Sequence, residues 1–296
     1  MEADPGARLE RALLSLEGLS TGDAFGERFF DPRLARALSR GERPLPAGPW
    51  AWTDDTAMAL GIIEVLRELG TIDPDRLAAV FARRYADDPG RGYGAGAHLL
   101  LAAVADGGNW RELSPAAFGG AGSMGNGAAM RVAPLGAFFA DDPEALRENA
   151  ECSARTTHAH PEGRAGAVAV AAAAGAACRG SPDLLRAAVE ATPAGTVRDG
   201  LEAAAALPFS VPVERAAAEL GNGSRVLATD TVPFALWCAA RHLGDFPETL
   251  WTTAAGGGDR DTTCAIAGGV AAPAANPAGI PPTWEKRREP LPLPGA

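Results

Sequence analysis

Apolar residues recur along this chain at helical rather than strand spacing. Leu9, Leu13, Leu16 and Leu19 fall three or four residues apart within LERALLSLEGL, and Met58, Ile62, Val65, Leu66 and Leu69 form a second stripe that Gly70 closes. The segment AGAVAVAAAAGAAC, residues 165–178, has so little side-chain bulk that a helix there must lie close to neighbouring backbones. ATDTVPFALWCAARHLG and DTTCAIAGGVAA predict two further buried helices. Alternating patterns bounded by turn residues, the mark of half-buried strands, are scarce. The pattern predicts one all-α domain over residues 1–285, a compact orthogonal helical bundle. The proline-dense end, NPAGIPPTWEKRREPLPLPGA, predicts an extended tail of low core content over residues 286–296.

Composition narrows the partners. The 36 glycines and 24 prolines are about a fifth of the 296 residues, which is loop-rich but below the roughly 25–30% of unstructured low-complexity chains. A formal net charge of -10 argues against a general nucleic-acid or membrane-surface binder, since either needs a basic face. No apolar run reaches the ~18 residues that span a bilayer, and the charged first turns do not read as a secretory signal. Cys152, Cys178, Cys238 and Cys264 are far apart and show no CxxC spacing, so they read as reduced thiols of a cytoplasmic protein rather than zinc ligands.

Two acidic clusters at predicted helix starts carry the chemistry. Thr53-Asp54-Asp55 opens TDDTAMAL, and Asp259-Arg260-Asp261-Thr262 opens DRDTTCAIAGG. A helix N-cap uses one such residue, worth ~1 kcal/mol, whereas each cluster holds three. Carboxylates ~5 Å apart repel by roughly 3 kcal/mol at an effective dielectric of ~20. Hard cations reverse that penalty, and an all-oxygen donor set suits Mg²⁺ or Mn²⁺. RGYGAG, FGGAGSMGNGAAMRVAPLG and AAGGGDRD are glycine-dense loops feeding helix starts, where backbone N–H groups can meet an anion.

Seven segments in order, GDAFGE (22–27), WTDDT (52–56), RGYG (91–94), GSMGNGAAMRVAPLG (122–136), RTTHAHP (155–161), TDTVPFALW (229–237) and GGDRDTT (257–263), resemble the ADP-ribosylglycohydrolase family over nearly the whole chain. The resemblance implies an all-α enzyme that binds two Mg²⁺ or Mn²⁺ ions near the distal ribose of ADP-ribose and hydrolyses the bond from its anomeric carbon. Its substrate is an ADP-ribosylated protein or a small ADP-ribosyl compound. By this resemblance Thr53, Asp54, Asp55, Asp259, Asp261 and Thr262 are the metal ligands. Gly92 and Tyr93 lie along the phosphates, Ser123, Met124, Gly125 and Asn126 lie beside the distal ribose and diphosphate, and His158 is near the phosphates or ribose. His160 reads as structural, and Asp23 as a cap or support rather than a substrate contact.

One position departs from the family. Its usual glutamate, four residues after the second glycine of GDxxG, is Phe30 here, with Glu27 and Asp31 as the nearby acids. Glu27, Asp55 and Asp261 are therefore the catalytic candidates, Glu27 on the scissile side. The departure also keeps two alternatives open: a non-catalytic ADP-ribose or nucleotide binder of the same fold, and a hydrolase of another ribosyl substrate.

Overall fold

Three glycines of the first helix decide how the bundle closes. The helix Pro5–Glu27 starts where Asp4 accepts from Gly6 N, and it places Gly18, Gly22 and Gly26 on one face at four-residue spacing. A Cβ on these glycines would collide with the backbone carbonyls of Gly268, Cys264 and Arg260 respectively. Those residues belong to the antiparallel helix Arg260–Ala271, so two backbones lie in direct contact, with the Ala272 methyl also against Gly18. This pairing brings the C-terminal end of the first helix, with Asp23 and Glu27, beside the start of the 260–271 helix, with Asp259 and Asp261. Gly22→Ala is expected to destabilise the fold by about 1–3 kcal/mol or more, because overpacking against a backbone cannot relax by a rotamer change. Denaturant titration checks it, and an unchanged midpoint would contradict the close contact.

The structure is a computed structural model that describes residues 4–274 and 279–293. Its elements are α-helices and short 3-10 turns, and among the described residues the only β-type pairs are two isolated bridges, Trp50 with Arg288 and Gly125 with Leu227. The small-residue segment forms the buried centre, helix Pro161–Cys178, packed by helices Ala133–Phe138, Pro143–Arg155, Leu184–Ala191 and Ala228–Arg241. Gly136 meets the backbone of Ala171 there, which is the close approach the alanine-rich pattern predicts. Helix Asp54–Leu69 is buried through Leu66, with Leu69 of the apolar stripe exposed in the last turn, and it ends at Gly70 in the left-handed conformation (φ 70°). No described helix is long and apolar enough to cross a membrane.

The C-terminal segment corrects one expectation. Residues 286 and 287 turn off helix Pro282–Glu285 and residues 289–293 carry no regular structure, but the segment is bound to the body rather than free of it. Trp284 stacks on Phe25 at 4.7 Å, inside an aromatic cluster with Trp50 and Trp251. Beyond it, Trp50 N donates to Arg287 O (2.6 Å) and Glu289 N donates to Trp50 O (2.8 Å). Arg288 reaches Glu17 at 2.6 Å, and Glu289 accepts two hydrogen bonds from Arg91 at 2.7 and 2.8 Å. The anchoring comes from the charged residues between the prolines. Residues 294–296 lie outside the described part.

Candidate active site

The two acidic clusters open two helices that face a shared cleft of about 430 Å³, whose lining includes Glu27, Trp52, Thr53, Arg91, Gly92 and Asp261. Thr53 is the N-cap of the 54–69 helix, its hydroxyl 3.4 Å from Asp55 N. Asp23 holds this start in place, accepting from Thr53 N (2.9 Å), Thr53 Oγ1 (2.9 Å), Thr56 N (3.1 Å) and Thr56 Oγ1 (2.5 Å). Fully buried and saturated with donors, Asp23 supports the cluster, as its sequence position suggests. Burial pushes its carboxyl up to about 6, against the pull of those donors.

Capping does not account for the second cluster. Asp259 is the N-cap of the 260–271 helix, yet its side chain caps nothing. Instead its Oδ2 accepts from Asn126 Nδ2 (2.7 Å), the same amide that donates to Thr231 Oγ1 (3.1 Å). The loop at Asn222 backs this arrangement, since Asp259 N donates to Asn222 O (3.0 Å) and a Cβ on Gly223 would press on the Asp259 side chain.

The acids disturb one another strongly. Burial, then Asp23 and Asp259, raises Asp54 to about 7. Asp55 is pushed well above the carboxylate range by burial and then by Asp23, Asp261, Asp54 and Asp259. Asp261 is pushed up by burial, Asp259 and Asp23. Asp55 Oδ1 and Asp261 Oδ1 are buried with no hydrogen-bond partner among the described residues. Two orphaned carboxylate oxygens in one negative cluster fit a hard cation, which supplies the missing positive partner. Among the described residues no group of three acidic, histidine or cysteine side chains stands where it could hold a metal ion. Thr262 sits in the first turn beside them, buried.

Of the acids near the departure from the family motif, Glu27 alone is in place. It ends the first helix, half-buried, and lines the cleft with Thr53 and Asp261. Burial, Asp23 and Asp259 raise its carboxyl, partly offset by Arg28. Asp31 is exposed and spent as the N-cap of helix Pro32–Ser39, where it accepts from Arg33 N (2.7 Å). Phe30 points to solvent.

From this cleft a glycine-rich track runs across the surface. Gly92, at φ 89°, lies against Asp54, and Arg91 O accepts from Asp54 N (2.8 Å). Tyr93 stands behind that wall, its ring edge-on to Tyr85 at 5.2 Å and its hydroxyl buried, so it packs inward rather than lining the cleft. Asn126 begins the track at Asp259. Met124 O and Asn126 N pair with Ala228 N (3.0 Å) and Val226 O (3.2 Å), and Ser123 Oγ accepts from Gly125 N (3.2 Å). His158 lies beneath Gly125 and Gly127, which are glycines for lack of room: a Cβ on either would stand 3.3 or 3.1 Å from its Nε2. Burial, reinforced by Arg131, lowers His158 to about 3, so its ring is neutral. His160 caps helix Pro161–Cys178, accepting from Glu162 N (3.1 Å), a structural role. Phe118, the first residue of this glycine-dense loop, lies outside the seven family-like segments. It is 67% exposed, in the left-handed conformation (φ 52°), with its ring across Gly96. Such a backbone is costly for a residue with a Cβ and is associated with functional positions.

This all-α bundle with an acidic cleft is a known class. Residues 4–292 match the ADP-ribosylglycohydrolase family. ADP-ribosylhydrolase ARH3 of Mus musculus is 31% identical over 93% of this chain and 86% of its own length. An uncharacterized protein of Archaeoglobus fulgidus is 29% identical over 92% of this chain and 85% of its own. A solved structure titled ADP-ribosylglycohydrolase-related protein complex superposes with a TM-score of 0.70 at 28% identity, covering 96% of this chain and 94% of that one. The chain belongs to the ADP-ribosylglycohydrolase family, a family of hydrolases.

Proposed function

We propose that this protein is a cytoplasmic, divalent-cation-dependent hydrolase that cleaves the N- or O-glycosidic bond between ADP-ribose and a protein side chain or small group. The observation that carries this reading is the pair of buried, unpartnered carboxylate oxygens on Asp55 and Asp261, in a cleft that also holds Glu27. The family supports the substrate class, and the four free cysteines support a reducing compartment.

Two ions, Mg²⁺ or Mn²⁺, held among Thr53, Asp54, Asp55, Asp259, Asp261 and Thr262, would supply Lewis-acid polarisation and orientation of the ribose oxygens. The chain's own residues do the rest. Asn126 fixes Asp259 at the head of the track, so a ribose at the acidic cluster points its diphosphate along Ser123–Gly125 and its base toward Phe118. Glu27 faces the scissile bond. As the bond from the anomeric carbon to the leaving atom breaks, a water oxygen bonds to that carbon, Glu27 takes one of the water's protons and passes it on to the leaving atom. A carboxyl raised toward neutrality is suited to both taking and giving a proton.

Turnover of arginine-linked, serine-linked and O-acetyl ADP-ribose, each with Mg²⁺, with Mn²⁺ and with chelator, tests the reading and identifies the linkage. Binding of ADP-ribose with no turnover of any linkage would make the protein a binder instead. The track gives a second check. Phe118→Ala is expected to weaken ADP-ribose binding about tenfold, the scale of a lost base-stacking platform. Isothermal titration reads it, and an unchanged affinity would remove Phe118 from the site.

A further inference from the structure

Arg131 is wholly inside the protein, and none of its hydrogen bonds goes to a carboxylate. Burying a guanidinium is expensive, and a bare salt bridge does not offset the cost here. What it touches instead is specific. Its ring of contacts comprises the face of Phe81, 4.4 Å from the guanidinium carbon, Met58 Sδ, Ser153 O (2.9 Å), Thr156 Oγ1 (3.5 Å) and Thr157 Oγ1 (2.9 Å). Both threonine hydroxyls accept from the same Nη2. Thr156 passes its own proton to Ser153 O at 2.8 Å. Thr157 has one remaining polar neighbour, His158 Nδ1, at 2.7 Å.

Hydrogen-bond arithmetic then favours one tautomer of the histidine. A hydroxyl that accepts from a cation donates its own proton onward, and the acceptor within reach of Thr157 is Nδ1. An Nδ1 that accepts carries no proton, so in the neutral ring the proton is on Nε2. Nε2 is the nitrogen beneath the Gly125–Gly127 turn. We propose that Arg131 is a positioning residue which, through Thr157, locks His158 as the Nε2–H tautomer and aims a neutral donor at the turn where the anionic part of the ligand lies. The ligand half of this proposal rests on the function proposed above; the tautomer half stands on the hydrogen bonds alone. A neutral donor held by a buried cation gives direction to an anionic group without a second full charge at the surface, so recognition does not depend on protonating the histidine.

The chain has 4 histidines, so its imidazole nitrogens can be assigned by long-range ¹H–¹⁵N NMR. In the unmodified protein at neutral pH, His158 should show an unprotonated Nδ1 and a protonated Nε2. Thr157→Val, close in shape but without the hydroxyl, should release the ring to a mixture of tautomers and weaken ADP-ribose binding roughly tenfold, the worth of one directed hydrogen bond. Thr157→Ser should restore both, which a merely structural loss of a methyl group would not do. A proton on Nδ1 in the unmodified protein, or an unchanged tautomer in Thr157→Val, overturns the relay. If the tautomers behave as described but ADP-ribose does not bind even the unmodified protein, the ligand half falls together with the proposed function while the relay is supported.

Discussion

Glu27→Gln is expected to lower turnover of ADP-ribosyl linkages by roughly 10²–10⁴-fold, the usual contribution of a positioned acid or base. Size and hydrogen-bonding reach are kept, so ADP-ribose and cation binding should persist. Steady-state kinetics beside a binding titration separate the two. Glu27 ends a helix whose glycine face is clamped to the 260–271 helix, so its backbone has little freedom to drift from Asp261. Near-normal turnover in the variant would return Glu27 to the status of a half-buried helix-end neighbour of Arg28 and leave proton transfer to Asp55 or Asp261. Asp31→Asn is the control. Its carboxylate is exposed and caps the next helix, so turnover should stay within about twofold while stability falls by at most ~1 kcal/mol.

A second large effect is expected in the pH dependence of stability. In chelated protein, Asp23, Asp54, Asp55 and Asp261 all hold protons more tightly folded than unfolded. The folded chain therefore binds more protons above the ordinary carboxylate range, and stability falls as pH rises from about 4 through the Asp54 value of about 7. The loss is on the order of a few kcal/mol. Mg²⁺ or Mn²⁺ replaces the protons, so loaded protein should show a much flatter profile and the largest gain in Tm at the alkaline end. His158 slopes the other way. Its folded value of about 3 means that stability is lost as pH falls below its unfolded value near 6.5. The diagnostic is thus the Tm difference between loaded and chelated protein at each pH. Asp55→Asn should reduce that difference, and a difference that is zero at pH 7.5 would contradict a cation site.

Much of this was legible in the sequence because it is local. The stripe closed by Gly70, the bulk-free 165–178 helix and both acidic clusters are patterns within a turn or two. What was illegible depends on partners distant in the chain. GxxxGxxxG at 18–26 reads as mere permissiveness until the carbonyls of Arg260, Cys264 and Gly268 are set against it. Glu27 is a candidate from the sequence alone, but the reason it lines the cleft while Asp31 does not is the helix running through Glu27 and breaking at Arg28. Phe118 lies outside the family-like segments, and its exposure follows from non-helical backbone at Ala117, Phe118 and Gly119. The C-terminal segment misled by composition, since its prolines speak for extension while Arg287, Arg288 and Glu289 fasten it to Trp50, Glu17 and Arg91.

The clamp between the first and the 260–271 helices also sets an order of events in synthesis. Ser15 donates to Gly269 O at 2.7 Å, across 254 residues of intervening chain. Contacts of such separation form late, because loop closure must come first. While the ribosome is still adding the middle of the molecule, the first helix presents a bare backbone groove at Gly18, Gly22 and Gly26, and Thr53, Asp54 and Asp55 have no opposite half. A nascent chain that has not reached Thr262 lacks Asp259 and Asp261, and with them half of the acidic cluster on which the proposed function rests. Helix Arg260–Ala271, made near the end of synthesis, is therefore what covers the glycine face of the first helix, and until it is added that face stays uncovered.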